Sequence, residues 1–328
     1  MQLVTLGEVL IDMFPAEVGR SLTDVSAFHP KPGGAPANVA VAARRLGAAS
    51  AFIGKVGDDL FGHYLIDVLA GQGVETRGMR VDAEARTTMA IIALPDEHTA
   101  EFVFYRNPGA DQRLRPDELD RDLLASTRAF HFGSLSLTGE PIRSATREAV
   151  ALARQGGALV SYDVNYRPPL WPSPQAAVDA ARAMLPHVDV LKVNETELAL
   201  LAGRESAAPL AEDALEGLAT GLLAEGPAVV VVTRGQAGSA YFTAAGGGVV
   251  PAFQVRTVDS VGCGDAFIAG LLVRLTATAG WREMLAPEHL HDAVRYASAV
   301  GALTATRQGV IPALPTAAEV DGFLRERV

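Results

Sequence analysis

The sequence predicts a doubly wound α/β fold: one mainly parallel sheet with helices on both faces, and a small β lid attached to it. Three observations carry that prediction. Short apolar runs alternate with longer Ala- and Leu-rich segments of helical period, and strand–helix alternation of this kind implies a parallel sheet. Val229 to Val232 is the purest run, as expected of a strand buried on both faces. One stretch interrupts the rhythm with two strand-like runs and no helix between them. The 328 residues, 49% hydrophobic and 20% charged, supply enough apolar material for a sizeable core and exclude disorder as the dominant state.

Taken in order, the strand-like runs are Gln2 to Leu6, Ser50 to Gly54, Ala129 to Phe132, Ala158 to Asp163, Val188 to Val193 and Ala228 to Thr233. Helical patterns such as Ala37 to Leu46, Pro141 to Gln155 and Gln175 to Leu185 separate them. The interruption is Thr87 to Leu94, then Pro95-Asp96-Glu97-His98, then Thr99 to Tyr105. With only a polar turn between them, the two runs should pair antiparallel. Residues 11–32 and 87–107 are therefore read as a lid on a single domain spanning 1–328. An isolated hairpin needs its apolar face covered, which a homodimer through the lid would do.

The net charge of −10 argues against a nucleic-acid-binding surface or an anionic-membrane binder, which meet phosphates with basic patches. A single cysteine excludes an intrachain disulfide framework and a cysteine-clustered zinc site. Met1-Gln2-Leu3-Val4 opens no signal-peptide pattern. Nor does any uncharged apolar stretch reach the ~18 residues of a membrane span. The expectation is a soluble, cytoplasmic protein.

Chemistry concentrates in Asp259-Ser260-Val261-Gly262-Cys263-Gly264-Asp265-Ala266-Phe267. This segment follows a β-like run, Phe253 to Val258, and precedes an apolar helix, Ala266 to Leu275. Two glycines flanking one residue allow a tight turn that exposes successive N–H groups at a helix N-terminus, a geometry that collects anions. Asp265 then stands where its carboxylate can take a proton from a hydroxyl near a bound phosphate. Read alone, an Asp beside a glycine turn is equally a helix N-cap. Gly33-Gly34-Ala35-Pro36-Ala37-Asn38-Val39-Ala40 is a second glycine turn entering a helix. There the backbone can approach a ligand and Asn38 can both donate and accept hydrogen bonds. A plain helix start explains it as well. No Gly-x4-Gly-Lys-Ser/Thr occurs, and no Gly-x-Gly-x-x-Gly follows the first strand.

Together these blocks resemble the PfkB family of ribokinase-like carbohydrate kinases, most of all its bacterial fructokinases. Gly33 to Gly47 (GGAPANVAVAARRLG) and Asp259 to Phe267 (DSVGCGDAF) match the two family signatures. Gly7 to Asp12 (GEVLID) ahead of the first, and Ile53 to Gly62, Phe104 to Asp111 and Asp163 to Trp171 between the two, match in order. Lys192 to Leu198 (KVNETEL), Thr233 to Gly238 and Thr306 to Pro315 fit as well.

The resemblance implies a ribokinase-like fold and transfer of the γ-phosphoryl group of MgATP to the primary hydroxyl of a ketohexose, D-fructose first. It assigns Asp265 as the base and the amides of Gly262, Cys263 and Gly264 as the anion hole. Asp12, Gly33, Gly34 and Asn38 fall to the sugar, with Phe104, Arg106 and Arg167 beside it; Arg167 is favoured over Arg106. Asn194, Thr233, Gly235, Gly238 and Ser298 fall to the nucleotide. Asn194 and Glu197 are implied to order Mg²⁺ through water, although an exposed helical carboxylate is the usual fate of Glu. Many relatives bind K⁺ through carbonyls matching Asp259, Val261, Thr304, Arg307 and Gly309.

Two departures stand out: Cys263 where Ala is usual, and Ser298 where Asn or His often lies beside the adenine. The nearest alternative is a 2-keto-3-deoxygluconate kinase, against which Asp111 would speak if it faced the pocket. A non-catalytic sugar- or nucleotide-binding regulator and an interaction scaffold remain the readings outside enzymology.

Overall fold

The computed structural model describes residues 1–17, 19–93, 101–204, 210–278 and 280–327. The chain opens with β1 (Leu3–Leu6), β2 (Leu10–Pro15), β3 (Phe28–Gly33) and α1 (Ala35–Arg45). It continues through β4 (Ser50–Gly57), α2 (Leu60–Gly71), β5 (Glu75–Asp82), β6 (Met89–Ala93) and β7 (Glu101–Tyr105). The middle alternates strictly: α3 (Arg121–Ala125), β8 (Ala129–Gly133), α4 (Ile142–Gln155), β9 (Leu159–Asp163), α5 (Pro174–Arg182) and β10 (Val190–Asn194). Then come α6 (Glu195–Leu201), α7 (Glu212–Leu223), β11 (Val229–Thr233), β12 (Ser239–Thr243) and β13 (Gly246–Val250). Three helices close the chain: α8 (Cys263–Leu275), α9 (Pro287–Thr304) and α10 (Ala317–Arg325).

Nine strands form one sheet in the order β13-β12-β11-β10-β9-β8-β1-β4-β5. Every pairing from β5 to β11 is parallel, and β12 and β13 add an antiparallel edge. The sheet is covered on both faces, as its apolar strands require. Val229 and Val231 join the core beneath α1, α8 and α9, while Val230 and Val232 join the core beneath α4 to α7. Winding reverses at β1, which pairs with β4 on one side and β8 on the other. A crevice forms outside the carboxyl ends of the strands at such a reversal, and ligands bind there.

Four further strands make a small second sheet in the order β3-β2-β6-β7. Its β6 and β7 pair antiparallel with Met89 opposite Tyr105, and β2 pairs with both β3 and β6. The turn expected at Pro95 to His98 lies outside the described residues.

Two local expectations are corrected. Phe253 to Val258 pairs with no strand; β13 ends at Val250, and the segment runs on without regular secondary structure. Its apolar side chains cover helices instead of a pleat: the Phe253 ring meets Phe323 edge-on, with centroids 5.2 Å apart. The last signature helix begins at Cys263, three residues before the expected start, because Gly262 takes a left-handed conformation (φ 79°) as its N-cap. Asp265 therefore lies inside the first turn and does not cap it.

Candidate active site

The carboxyl ends of four neighbouring strands furnish one wall of a cavity of about 220 Å³. Glu8 follows β1, Leu135 follows β8, Asn165 and Arg167 follow β9, and Lys192 lies on β10. Asp12, Ala90, Ile92 and Phe104 of the small sheet close it from above, and Gly34, Asn38, Gly262, Gly264 and Asp265 form the opposite side. Asn165 has a positive φ of 37°, uncommon for a residue with a side chain and tolerated best by Asn and Asp. Its N–H donates to Asp163 Oδ1.

Asp265 is tied to the other signature by one bond: Asn38 Nδ2 donates to Asp265 Oδ2 at 2.8 Å. Burial, opposed by that bond, pushes the Asp265 carboxyl up to about 6. Asp12 rises to about 7, through burial first and the charge of Asp265 second, with Arg167 opposing. Glu8 also rises to about 7 through burial; its Oε1 accepts from the Ala35 N–H. Glu8 Oε2 and Asn38 Oδ1 are buried acceptors without a donor among the described residues, and buried acceptors are costly unless satisfied.

Both glycine turns are dictated by space. Gly34 has φ 104°, and a Cβ there would collide with the Glu8 carbonyl oxygen. At Gly262, where φ is 79°, a Cβ would run into Val310. Any side chain would displace the cradle, which opens the N-terminus of α8 toward the cavity.

A second, larger groove of about 520 Å³ lies on the other side of that N-terminus. Thr233, Gly235, Gly238, Ser298, Cys263 and Phe267 line it together with the extended segment Phe253 to Val255. Ser260 and Gly264 line both spaces. The cradle is thus the shared boundary between a smaller, polar cavity and a larger, more apolar groove. That is the geometry needed to pass a group from a ligand in one to a ligand in the other.

A scan of family models matches residues 1–317 to the pfkB family carbohydrate kinases. The chain belongs to that family. It is 43% identical to the probable fructokinase-2 of Arabidopsis thaliana over 325 residues, 99% of this chain and 96% of the relative. The crystal structure of a Xylella fastidiosa fructokinase with bound ATP superposes with a TM-score of 0.89 at 34% identity, covering 99% of this chain and 98% of that one. A double-mutant fructokinase of Vibrio cholerae O395, with fructose, ADP and potassium ion bound, gives 0.84 at 32% identity over 99% and 98% of the two chains.

In this pfkB kinase the residues singled out in the sequence separate into groups. Asp12, Gly34, Asn38, Phe104, Arg167, Gly262, Gly264 and Asp265 line the compact cavity. Thr233, Gly235, Gly238, Ser298, Cys263 and Gly264 line the groove, with Ser298 Oγ 3.1 Å from Ser239 Oγ. Gly33 pairs with Leu10 at the end of β3 and lines neither space.

Arg106 lines neither of these two spaces. It is buried, its guanidinium held by Asp111, Thr138 Oγ1 and the Leu135 carbonyl, so it is not a surface arginine. Asp111 is spent on the same pair and on Thr88, and does not face the cavity.

Asn194 caps α6 through Oδ1, and Glu197 returns the bond to the Asn194 N–H. Far from exposed, Glu197 is 3% accessible, and its other oxygen accepts from the Tyr166 N–H. Neither residue lines either space. Asp259 bridges two loops by accepting from the N–H groups of Val261 and Gly309 at 3.0 Å each, which sets the Val261 segment beside the Thr304–Gly309 segment. Arg307 is committed to Glu319. Burial and two nearby carboxylates push the Cys263 thiol up to about 12, so the cradle cysteine is held as an unreactive thiol.

Glu8, Asn165 and Lys192 were given no role in the sequence reading. A lone lysine within an otherwise buried strand was a signal that could have found Lys192.

Proposed function

We propose that this chain is an ATP-dependent fructokinase that transfers the γ-phosphoryl group of MgATP to the primary hydroxyl of D-fructose. One observation carries the reading: the α8 cradle and Asp265 stand at the boundary shared by a small polar cavity and a groove lined by the nucleotide-type residues. In the proposed step Asp265 accepts the hydroxyl proton, the freed oxygen attacks the γ-phosphorus, and the bond to the bridging oxygen breaks to leave ADP. The amides of Gly262, Cys263 and Gly264 stabilise charge on the transferring group, most effectively in a site closed to water.

A neutral polyol suits the cavity. Glu8 Oε2 and Asn38 Oδ1 await donors, and hydroxyl groups supply them. Asp12, Glu8 and Asp265 would oppose a substrate carboxylate, which favours a ketohexose over a keto acid. The relatives with fructokinase names and the fructose-bound structure support the same substrate.

Phe104 and Asp12 make the small sheet the natural lid, with residues 11–32 and 87–107 as its extent in a single domain. Val103 and Tyr105 on β7 are exposed, at 41% and 58%, and suit a homodimer formed through that sheet. No described helix is long and apolar enough to cross a membrane.

Among the described residues no set of three or more His, Cys, Asp or Glu side chains is placed to hold a metal ion. Glu197 has both oxygens on amides, so Mg²⁺ fits here as an ion carried on nucleotide phosphates and water, its preferred oxygen ligands. It would neutralise phosphate charge, with Asn194 and Glu197 acting at most through water. A K⁺ ion would sit at carbonyls of the two loops that Asp259 joins.

The test is a coupled ADP-release assay with MgATP and a panel of fructose, glucose, ribose and 2-keto-3-deoxygluconate. Fructose should give the highest kcat/KM. Turnover confined to the keto acid would overturn the substrate, and sugar binding without ADP release would overturn the enzyme.

A further inference from the structure

Beneath the cradle lies an ion pair that the proposed mechanism does not use. Lys192 on β10 is 6% exposed and Asp163, ending β9, is 3% exposed. Lys192 Nζ donates to both carboxylate oxygens of Asp163, at 3.1 and 2.9 Å. An ammonium carries three N–H donors, so one is left without a protein acceptor among the described residues. Lys192 lines the compact cavity, and its Nζ lies 3.1 Å from where a Cβ on Gly264 would stand. The lysine therefore reaches the first turn of α8 because residue 264 has no side chain. Two strands of a buried parallel sheet thus place one fixed charge of each sign under the residue that precedes Asp265.

From this geometry we infer that Lys192 and Asp163 are a positioning pair for the transfer step. Lys192 supplies positive charge under the cradle and Asp163 fixes where that charge stands, so that together they set the pH at which Asp265 works as a base. Removing a charge from a water-poor site leaves its neighbour's field uncompensated. The two partners should therefore act on Asp265 with opposite sign: Lys192 favours the carboxylate and Asp163 the protonated acid, which agrees with the direction of their influence on that carboxyl. Lys192 itself keeps its proton, because the pull of Asp163 and Glu197 outweighs the cost of burial.

The other charged or titratable groups around Asp265 are Asp12 from β2, Arg167 from the chain after β9, Cys263 earlier on α8, and Glu8, which lines the same cavity. Asn38 of α1 is its hydrogen-bond partner. None of these is substituted in the variants that alter the pair.

The experiment is the pH profile of kcat/KM for fructose at saturating MgATP in the full chain and in Lys192→Gln, Asp163→Asn and Lys192→Arg. Lys192→Gln should lower kcat by about 10²-fold, the scale of losing one stabilising donor, and move the acidic limb of the profile to higher pH. In Asp163→Asn the limb should move to lower pH, with Glu197 and Asp265 still holding the ammonium charged. Lys192→Arg keeps the charge and should leave the limb near its wild-type position. A limb that stays in place in both charge-removing variants, or moves the same way in both, overturns the inference. If Lys192→Gln does not fold, Asp163→Asn against Lys192→Arg decides, because only the first should shift the limb. The inference rests on Asp265 as base in the proposed kinase. A wild-type protein that does not phosphorylate fructose refutes that reading, whereas an active wild type with unshifted variants refutes only the role of the pair.

Discussion

Asp265→Asn tests the proposed mechanism at its centre. The substitution is nearly isosteric, and the new side-chain oxygen can still accept from Asn38 Nδ2, which now meets Asp265 Oδ2 at 2.8 Å. The cradle should therefore survive while the proton acceptor is lost. General-base catalysis contributes about 10²–10⁴-fold, so kcat should fall by that factor with ATP affinity little changed. The wild-type pH profile supplies a second signature. With Asp265 at about 6, about nine-tenths of it is ionised at pH 7 and about one-tenth at pH 5, an activity ratio of roughly tenfold. Activity should rise with pH through this range, and the residual activity of the variant should lose that limb. Stability should move the other way. Because the folded carboxyl sits above its usual range, the folded state holds its proton longer than the unfolded chain and loses stability as pH rises through about 6. Asp265→Asn should thus melt no lower than wild type at pH 8. Coupled ADP release, calorimetric ATP titration and thermal melts at pH 5 and 8 read all three. More than about a tenth of wild-type turnover, or a persisting acidic limb, would refute the assignment of the base.

Two further outcomes are expected. Glu8 has a carboxyl moved from 4.5 to about 7 by burial, and its ionisation costs the folded state up to about 3 kcal/mol. The native state keeps this proton to higher pH than the unfolded chain, so stability falls between about pH 4.5 and 7; urea melts of Glu8→Gln should show a gain at pH 8 that is absent at pH 5. Arg106→Ala leaves Asp111, 3% exposed, with Thr88 as its remaining side-chain partner, and should cost about 3–5 kcal/mol in the same melts. Wild-type stability with a raised fructose KM would instead return Arg106 to the substrate.

The sheet was legible wherever burial on both faces leaves an unbroken apolar run, as at Val229 to Val232. The pairing of β6 with β7 was legible because only a few polar residues separate two alternating runs. Phe253 to Val258 misled for a physical reason: β-branched and aromatic residues suit any extended chain with a surface to cover, and here the surface is helical. The cradle was legible because its elements are local, two glycines and an Asp within four residues. Arg106 was not, since its partner Asp111 folds back through a short turn that periodicity does not register. For Glu197 the resemblance implies Mg²⁺ held through water, with a solvated carboxylate as the plain alternative; Asn-x-x-Glu before an apolar helix is also the pattern of a capping box, which the structure forms between Asn194 and Glu197.

What no local pattern reveals is that β1, β9 and β10 bring Glu8, Asp163 and Lys192 to one crevice, because the neighbours are set by strand order. That convergence bears on the net charge of −10. An acidic protein needs no basic surface to handle phosphate when the anion meets the amides of a helix N-terminus. The carboxylates that line the compact cavity bear on a different property. Burial raises Asp265 to about 6, close enough to neutrality for it to be both ionised and basic. Glu8, Asp12 and Asp265 line the compact cavity, and the cradle stands between them and the groove.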